Sequence, residues 1–97
     1  HIVRIELSRS AERGLRELRA YIAADDPEAA DRVAGRLVKA FLLIRSNPNI
    51  GRPSGPGKGR EWSAPDLPYV IPYEVRSGVL YILRIYHTAR LKPPSWQ

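Results

Sequence analysis

The clearest alternation of apolar and polar positions lies between Tyr69 and Arg90. Tyr69, Ile71, Tyr73 and Val75 recur at the two-residue period of a strand with one buried face. Arg76-Ser77-Gly78 follows as a turn, where the glycine can take a positive φ. Val79 to Tyr86 is then almost continuously apolar, which predicts a central strand buried on both faces. Its end carries Tyr86, His87 and Arg90 toward one edge of the domain. Pro72 has no N–H to donate. Inside a strand it implies either a bulge or an N–H position that faces no neighbour.

Upstream, Ile2 to Leu7 reads as a short strand with Val3, Ile5 and Leu7 toward the core. Ser8 or Ser10 caps a helix whose apolar face is Ala11, Leu15, Leu18 and Ile22. Arg9, Arg13 and Arg16 form another face, best read as solvated. Gly14 weakens that helix and marks a close crossing with another element. Asp25-Asp26-Pro27-Glu28 is a break and restart, with Asp26 as N-cap and Pro27 as first helical residue. The second helix carries Ala30, Val33, Ala34, Leu37, Val38, Phe41 and Ile44 on one stripe and stops at Asn47-Pro48. NPNIGRPSGPGK, residues 47–58, is a loop. Residues 59–63 resume a strand and 64–68 turn into the next one. The tail, LKPPSWQ, is stiffened by Pro93-Pro94, and Trp96 is placed to anchor it back on the domain.

The predicted order is β-α-α-β-β-β. The short link makes the helices an antiparallel hairpin. The expected fold is α+β, with that hairpin packed on one face of a mainly antiparallel four-stranded sheet. All 97 residues fit one domain.

Composition narrows the function. The chain carries 16 Lys and Arg against 10 Asp and Glu, a net charge of +6. Residues 1–50 hold 9 basic and 7 acidic groups, and residues 51–97 hold 7 and 3, so the second half is the more electropositive. Such a field draws nucleic acid or an acidic protein partner, although it also serves solubility. There is no cysteine, which excludes disulfides and thiolate zinc sites and suits a cytoplasmic protein of bacterial type. No run of ~18 apolar residues or signal-peptide core is present, so no membrane partner is expected. The absence of Met points to His1 not being the native first residue.

Four segments in this order and spacing resemble the RelE/ParE superfamily of toxins from bacterial toxin–antitoxin modules. They are YIAADDPEAADRV at the helix junction, NPNIGRP after the second helix, the YVIPYEV strand and the LRIYHTAR strand end. The resemblance covers nearly the whole chain and implies the α+β fold already read from periodicity. It also implies a growth inhibitor neutralised by a cognate antitoxin with an acidic, partly disordered segment. Such a segment would fold on binding and complement the basic charge. The helical hairpin and the sheet edge are its expected docking surface. No metal or organic cofactor is expected.

Two mechanisms follow from the resemblance. RelE-like members cleave mRNA on the translating ribosome; ParE-like members poison DNA gyrase without catalysis. Cleavage by the RNA's own 2′-hydroxyl needs a base, an acid and cations on the phosphate. His87 is the only histidine besides His1 and suits proton transfer near neutral pH. It also looks like the position where YoeB-type nucleases place a catalytic histidine. Arg84, Arg90 and Arg60 would then complete a catalytic set, with Lys92 as a further phosphate cation. Trp62, Tyr86, His87, Arg90 and Lys92 form the expected target-binding surface in either mechanism. Each has a plainer alternative: His87 as a strand-end residue bonded to backbone, Tyr86 as packing, Trp62 as core. The chain departs from the nucleases where Val70 replaces an arginine after the strand aromatic and Thr88 replaces a tyrosine. The lysine-rich loop is reduced to Arg52, Lys58 and Arg60. The junction and the loop look more like ParE, so gyrase is the favoured target. A non-toxic module that only binds antitoxin is the third alternative.

Overall fold

The computed structural model describes residues 2–88. The elements are β1 (Arg4–Leu7), α1 (Arg9–Ala23), α2 (Pro27–Ser46), β2 (Arg52–Pro53), β3 (Arg60–Ser63), β4 (Tyr69–Arg76), β5 (Val79–Ile82) and β6 (Tyr86–His87). The two helices form a hairpin on one face of the sheet. Ala11, Leu37, Ala40, Phe41 and Ile44 of the helices close over Tyr69, Ile71, Tyr73, Leu80, Ile82 and Ile85. Burial of each large apolar side chain here contributes about 1.5–3 kcal/mol.

The sheet differs from the expected mainly antiparallel, four-stranded one. It is mixed and six-stranded, in the order β1-β5-β4-β3-β2, with β6 pairing β4. β1 runs parallel to β5, with Ile5 opposite Leu80 and Leu7 opposite Ile82. Hydrophobic alternation fixes which face a residue occupies; it does not fix a strand's neighbour or direction. The two additional strands are two residues each, too short to show any alternation. Val3 also departs from the expected face: the regular strand starts at Arg4, so Val3 is 66% exposed and Ile2 packs on the core instead.

The helix boundaries follow from caps. Ser8 is the N-cap of α1, its hydroxyl accepting from the Ala11 N–H at 3.0 Å. Asp26 caps α2 by accepting from the Ala29 N–H at 3.2 Å, and Pro27 opens the helix. The same junction carries Arg19–Asp31, 2.9 Å across the hairpin, and the looser Arg32–Asp26 at 3.9 Å. These exposed pairs add little stability. On α2, Ala40 belongs to the buried stripe while Val38 is half exposed. Gly14 does sit at a close crossing, since a Cβ there would lie 3.4 Å from the Ile85 carbonyl oxygen. In the β4–β5 turn, Ser77 (φ 50°) and Gly78 (φ 74°) both take the left-handed conformation, as a two-residue hairpin loop requires.

The NPNIGRP loop is fastened to the sheet by a buried tyrosine. The Tyr73 hydroxyl donates to the Pro48 carbonyl at 2.6 Å and accepts from the Gly51 N–H at 2.9 Å. The Arg60 guanidinium donates to the Gly51 carbonyl at 2.6 Å. Gly51 must be glycine because a Cβ would lie 2.7 Å from both the Glu61 carbonyl oxygen and the Tyr73 hydroxyl. Gly51→Ala is therefore expected to lower unfolding free energy by about 1–3 kcal/mol, as overpacking does. Tyr73→Phe, which strands the loop's donor and acceptor, should cost a similar amount. Urea unfolding followed by far-UV circular dichroism measures both. A neutral Gly51→Ala would show that the loop is not held against the strand.

Candidate functional site

The long apolar strand expected from Val79 to Tyr86 is broken at residues 83–85, and the break decides where the candidate side chains go. Tyr73 pairs with Ile82 and Tyr69 pairs with His87. Between these pairs β4 advances four residues and its partner advances five. The extra residue is a β-bulge. It lies opposite Pro72, in agreement with the first of the two options that this proline implied. The Leu83 N–H donates to the Pro72 carbonyl at 2.9 Å, but Pro72 has no N–H to return the bond. The Leu83 carbonyl is instead taken by the Ser8 hydroxyl at 2.6 Å. One serine thus caps α1 and satisfies the acceptor that the proline leaves open.

The bulge reverses the alternation downstream. Directly paired residues share a face, so His87 lies with Tyr69 on the helix side. Tyr86, opposite Val70, lies on the side away from the helices. Without the extra residue, the two would be exchanged. His87 meets Tyr69 edge-on, with ring centroids 5.5 Å apart. It borders a groove of about 380 Å³ between α1 and the sheet. Leu18 and Ile22 line that groove from the helix, Ile85 and Tyr69 from the sheet, and Glu17 is its charged wall.

Arg84 and Tyr86 form a separate pair. The Arg84 guanidinium donates to the Tyr86 hydroxyl at 2.9 Å and lies 5.8 Å from its ring centroid. Three other arginines outside the helix layer have carboxylate partners. Arg4 bonds Glu6 at 2.7 Å, Arg76 bonds Glu74 at 2.8 Å and Arg52 bonds Glu61 at 3.0 Å. Among the described residues Arg84 has none.

The described members of the expected catalytic set, Arg60, Arg84 and His87, lie at separate places on the sheet. Arg60 is engaged with Gly51, beside Tyr73 and four β4 residues from the partner of His87. Trp62 sits opposite Ile71 and packs half-buried against the core. Arg90 and Lys92 lie outside the described residues, as does Trp96. Among the described residues, no three His, Asp or Glu side chains gather as a metal site would require. No helix there is long and apolar enough to cross a membrane. Sequence reading missed the groove, which depends on the register shift that brings His87 to the helix side, and the pairing of Arg84 with Tyr86 two residues away.

Residues 5–92 match the model of the ParE toxin family of type II toxin–antitoxin systems, parDE. The chain belongs to this family. The relatives agree with that placement. Y4kP of Sinorhizobium fredii, provisionally named as a toxin, is 39% identical over 90 residues, covering 93% of each chain. Toxin RelE2 of Caulobacter vibrioides is 39% identical over 77 residues, covering 79% of this chain and 85% of the relative. In fold, the chain is similar to a chain of the chromosomal ParDE system from P. aeruginosa, with a TM-score of 0.76 and 24% identity. That likeness covers 90% of this chain and 97% of the other. This is a toxin of the RelE/ParE superfamily.

The dual role of Ser8 in this toxin can be measured. Ser8→Ala is expected to lose about 1 kcal/mol as a cap and about 1–3 kcal/mol through the unmet Leu83 carbonyl. Pro72→Val restores an N–H that can serve that carbonyl. The Ser8→Ala cost should then fall toward the capping term alone, giving a coupling of about 1 kcal/mol in a double-mutant cycle. Strictly additive effects would disconnect the serine from the bulge.

Proposed function

We propose that this toxin arrests growth by binding DNA gyrase through its surface, without cleaving RNA, and that a cognate antitoxin with an acidic segment neutralises it. The observation that carries the reading is that His87 lies on the helix side of the sheet, while Tyr86, bonded to Arg84, lies on the other. A ribonuclease needs its acid–base group and its phosphate cations converging on one scissile bond, within hydrogen-bond reach of the reacting atoms. Here the histidine borders an apolar groove on the helix side. The arginine without a carboxylate partner stands with Tyr86 on the other side, and Arg60 holds a loop carbonyl. An exposed arginine beside an aromatic ring suits a protein interface, where both residue types are enriched. The +6 net charge favours rapid association with an acidic antitoxin segment.

The name of the relative RelE2 favours a second reading, RelE-like cleavage of mRNA on the ribosome, in which His87 is the acid–base group. Short induction in growing cells separates the two when labelled thymidine and labelled methionine incorporation are followed together. The gyrase reading expects thymidine incorporation to fall first, with DNA breaks. Early collapse of methionine incorporation would overturn it. His87→Ala should leave toxicity within a few-fold of wild type, whereas acid–base catalysis would lose about 10²–10⁴-fold. Arg84→Glu should reduce toxicity while leaving the circular dichroism spectrum unchanged. Absence of any growth defect on induction of the wild-type chain would leave the non-toxic, antitoxin-binding module.

A further inference from the structure

We infer that the outer face of α2 docks a second copy of this chain, helix against antiparallel helix, about a two-fold axis near Val38. This goes beyond the gyrase reading and does not depend on it. Val38 is 50% exposed and Leu42 is 40% exposed. They belong to a seam of Asp31, Gly35, Val38, Leu42 and Arg45, set at steps of four, three, four and three residues. Such steps keep side chains on one narrow line along a helix, the spacing by which two helices pack side by side. Every residue of the seam is exposed. The stripe that α2 turns to the core is a different one, formed by Ala30, Ala34, Leu37, Ala40, Phe41 and Ile44.

Shape selects the occupant. A two-fold contact sets each residue on one side of the axis against the residue about equally far on the other side in the second copy. Gly35 precedes Val38 by three residues and Leu42 follows it by four. The Leu42 side chain of each copy therefore comes over Gly35 of the other, and Val38 meets its own counterpart. A Cβ at Gly35 would touch nothing within 4 Å, so the space above it is open and no packing inside the chain requires a glycine there. A glycine weakens a helix interior. The leucine that it admits from a second copy accounts for its place on the seam.

Charge selects it as well. Asp31 lies seven residues before Val38 and Arg45 lies seven after it. Antiparallel pairing sets each Asp31 against Arg45 of the other copy, so the attraction occurs twice. Arg19 engages one oxygen of the Asp31 carboxylate at 2.9 Å, which leaves the second to accept. Arg45 has no ion pair among the described residues. Opposed helix dipoles add to the same preference. An acidic segment from another protein would gain at Arg45 and lose at Asp31, whereas an antiparallel copy matches both ends. The seam is roughly 21 Å long at 1.5 Å per residue and one helix wide. That is small for a specific interface, so the association is weak and depends on concentration.

The test is sedimentation equilibrium of the full chain over a series of concentrations. The expected result is a mass that rises from one chain toward two as concentration increases. Val38→Asp brings two carboxylates together at the axis and should raise the dissociation constant by about tenfold or more. Asp31→Arg alone and Arg45→Glu alone set like charges against each other and should also weaken the dimer. The two substitutions combined exchange the charges and should restore it. All three positions are exposed, and an unchanged far-UV circular dichroism spectrum reports that the fold survives. A wild-type chain that stays monomeric at every concentration overturns the proposal and leaves the face to a different partner. So does a dimer that Val38→Asp leaves unchanged. A dimer that Val38→Asp weakens and the charge exchange fails to restore overturns it too, because the helices then do not run antiparallel across this seam.

Discussion

A single missing N–H organises the functional end of this fold. Pro72 accepts a ladder bond from Leu83 and cannot return it. The unpaired Leu83 carbonyl would be costly at the junction of sheet and helix. Ser8 removes that cost with a hydroxyl that also caps α1. The strand after Ile82 takes one extra residue, and Tyr86 and His87 exchange the faces they would have in a regular strand. Three distant parts of the sequence, the β1–α1 junction, the middle of β4 and the end of β5, are thus tied at one carbonyl. The proline resembles a defect in a strand when read alone. In the folded chain it sets the orientation of His87 and Tyr86.

A second constraint acts on the opposite side of β4. Tyr73 presents its ring to the core and its hydroxyl to the loop that follows α2. The loop's backbone donor and acceptor are satisfied without a helix or strand of their own. Arg60, basic and adjacent, closes the remaining Gly51 carbonyl. The NPNIGRP segment therefore has a packing explanation: the glycine permits contact with Tyr73, and the chain beyond it enters β2 beside β3. Arg60 thus has a structural role in holding the loop. The bond occupies one N–H of a half-buried guanidinium.

Much of the fold was legible from the sequence, and the parts that were not share a cause. Caps at Ser8 and Asp26, the proline start of α2 and the alternation of Tyr69, Ile71 and Tyr73 are local signals, decided within a few residues. Strand direction, the β2 and β6 pairings and the half-exposed Val38 depend on what lies beside each residue in space. The bulge was half legible, since Pro72 announced a problem in the ladder without saying how it is resolved. Tyr86 and His87 are neighbours in β6 and lie on opposite faces of it. A regular strand would already turn adjacent residues to opposite faces, and the bulge determines which of them meets the helices. The RelE/ParE resemblance, carried by four short segments, agreed with the family match.

The distribution of charge connects this architecture to function. The exposed arginines Arg4, Arg52 and Arg76 are each neutralised by a glutamate two residues away or on the neighbouring strand. Such pairs suppress unspecific attraction while keeping the surface hydrated. Arg84 leaves this pattern at the point where the bulge disrupts the ladder. Continuing the register of Tyr73 with Ile82 would set Arg84 opposite Ile71, which has no side-chain acceptor. The hydrogen bond to Tyr86 orients the guanidinium without cancelling its charge. Among the described residues this leaves an oriented cation without a carboxylate partner beside the Tyr86 ring. That arrangement is poor for general acid–base chemistry at one phosphate and well suited to recognition of a protein surface.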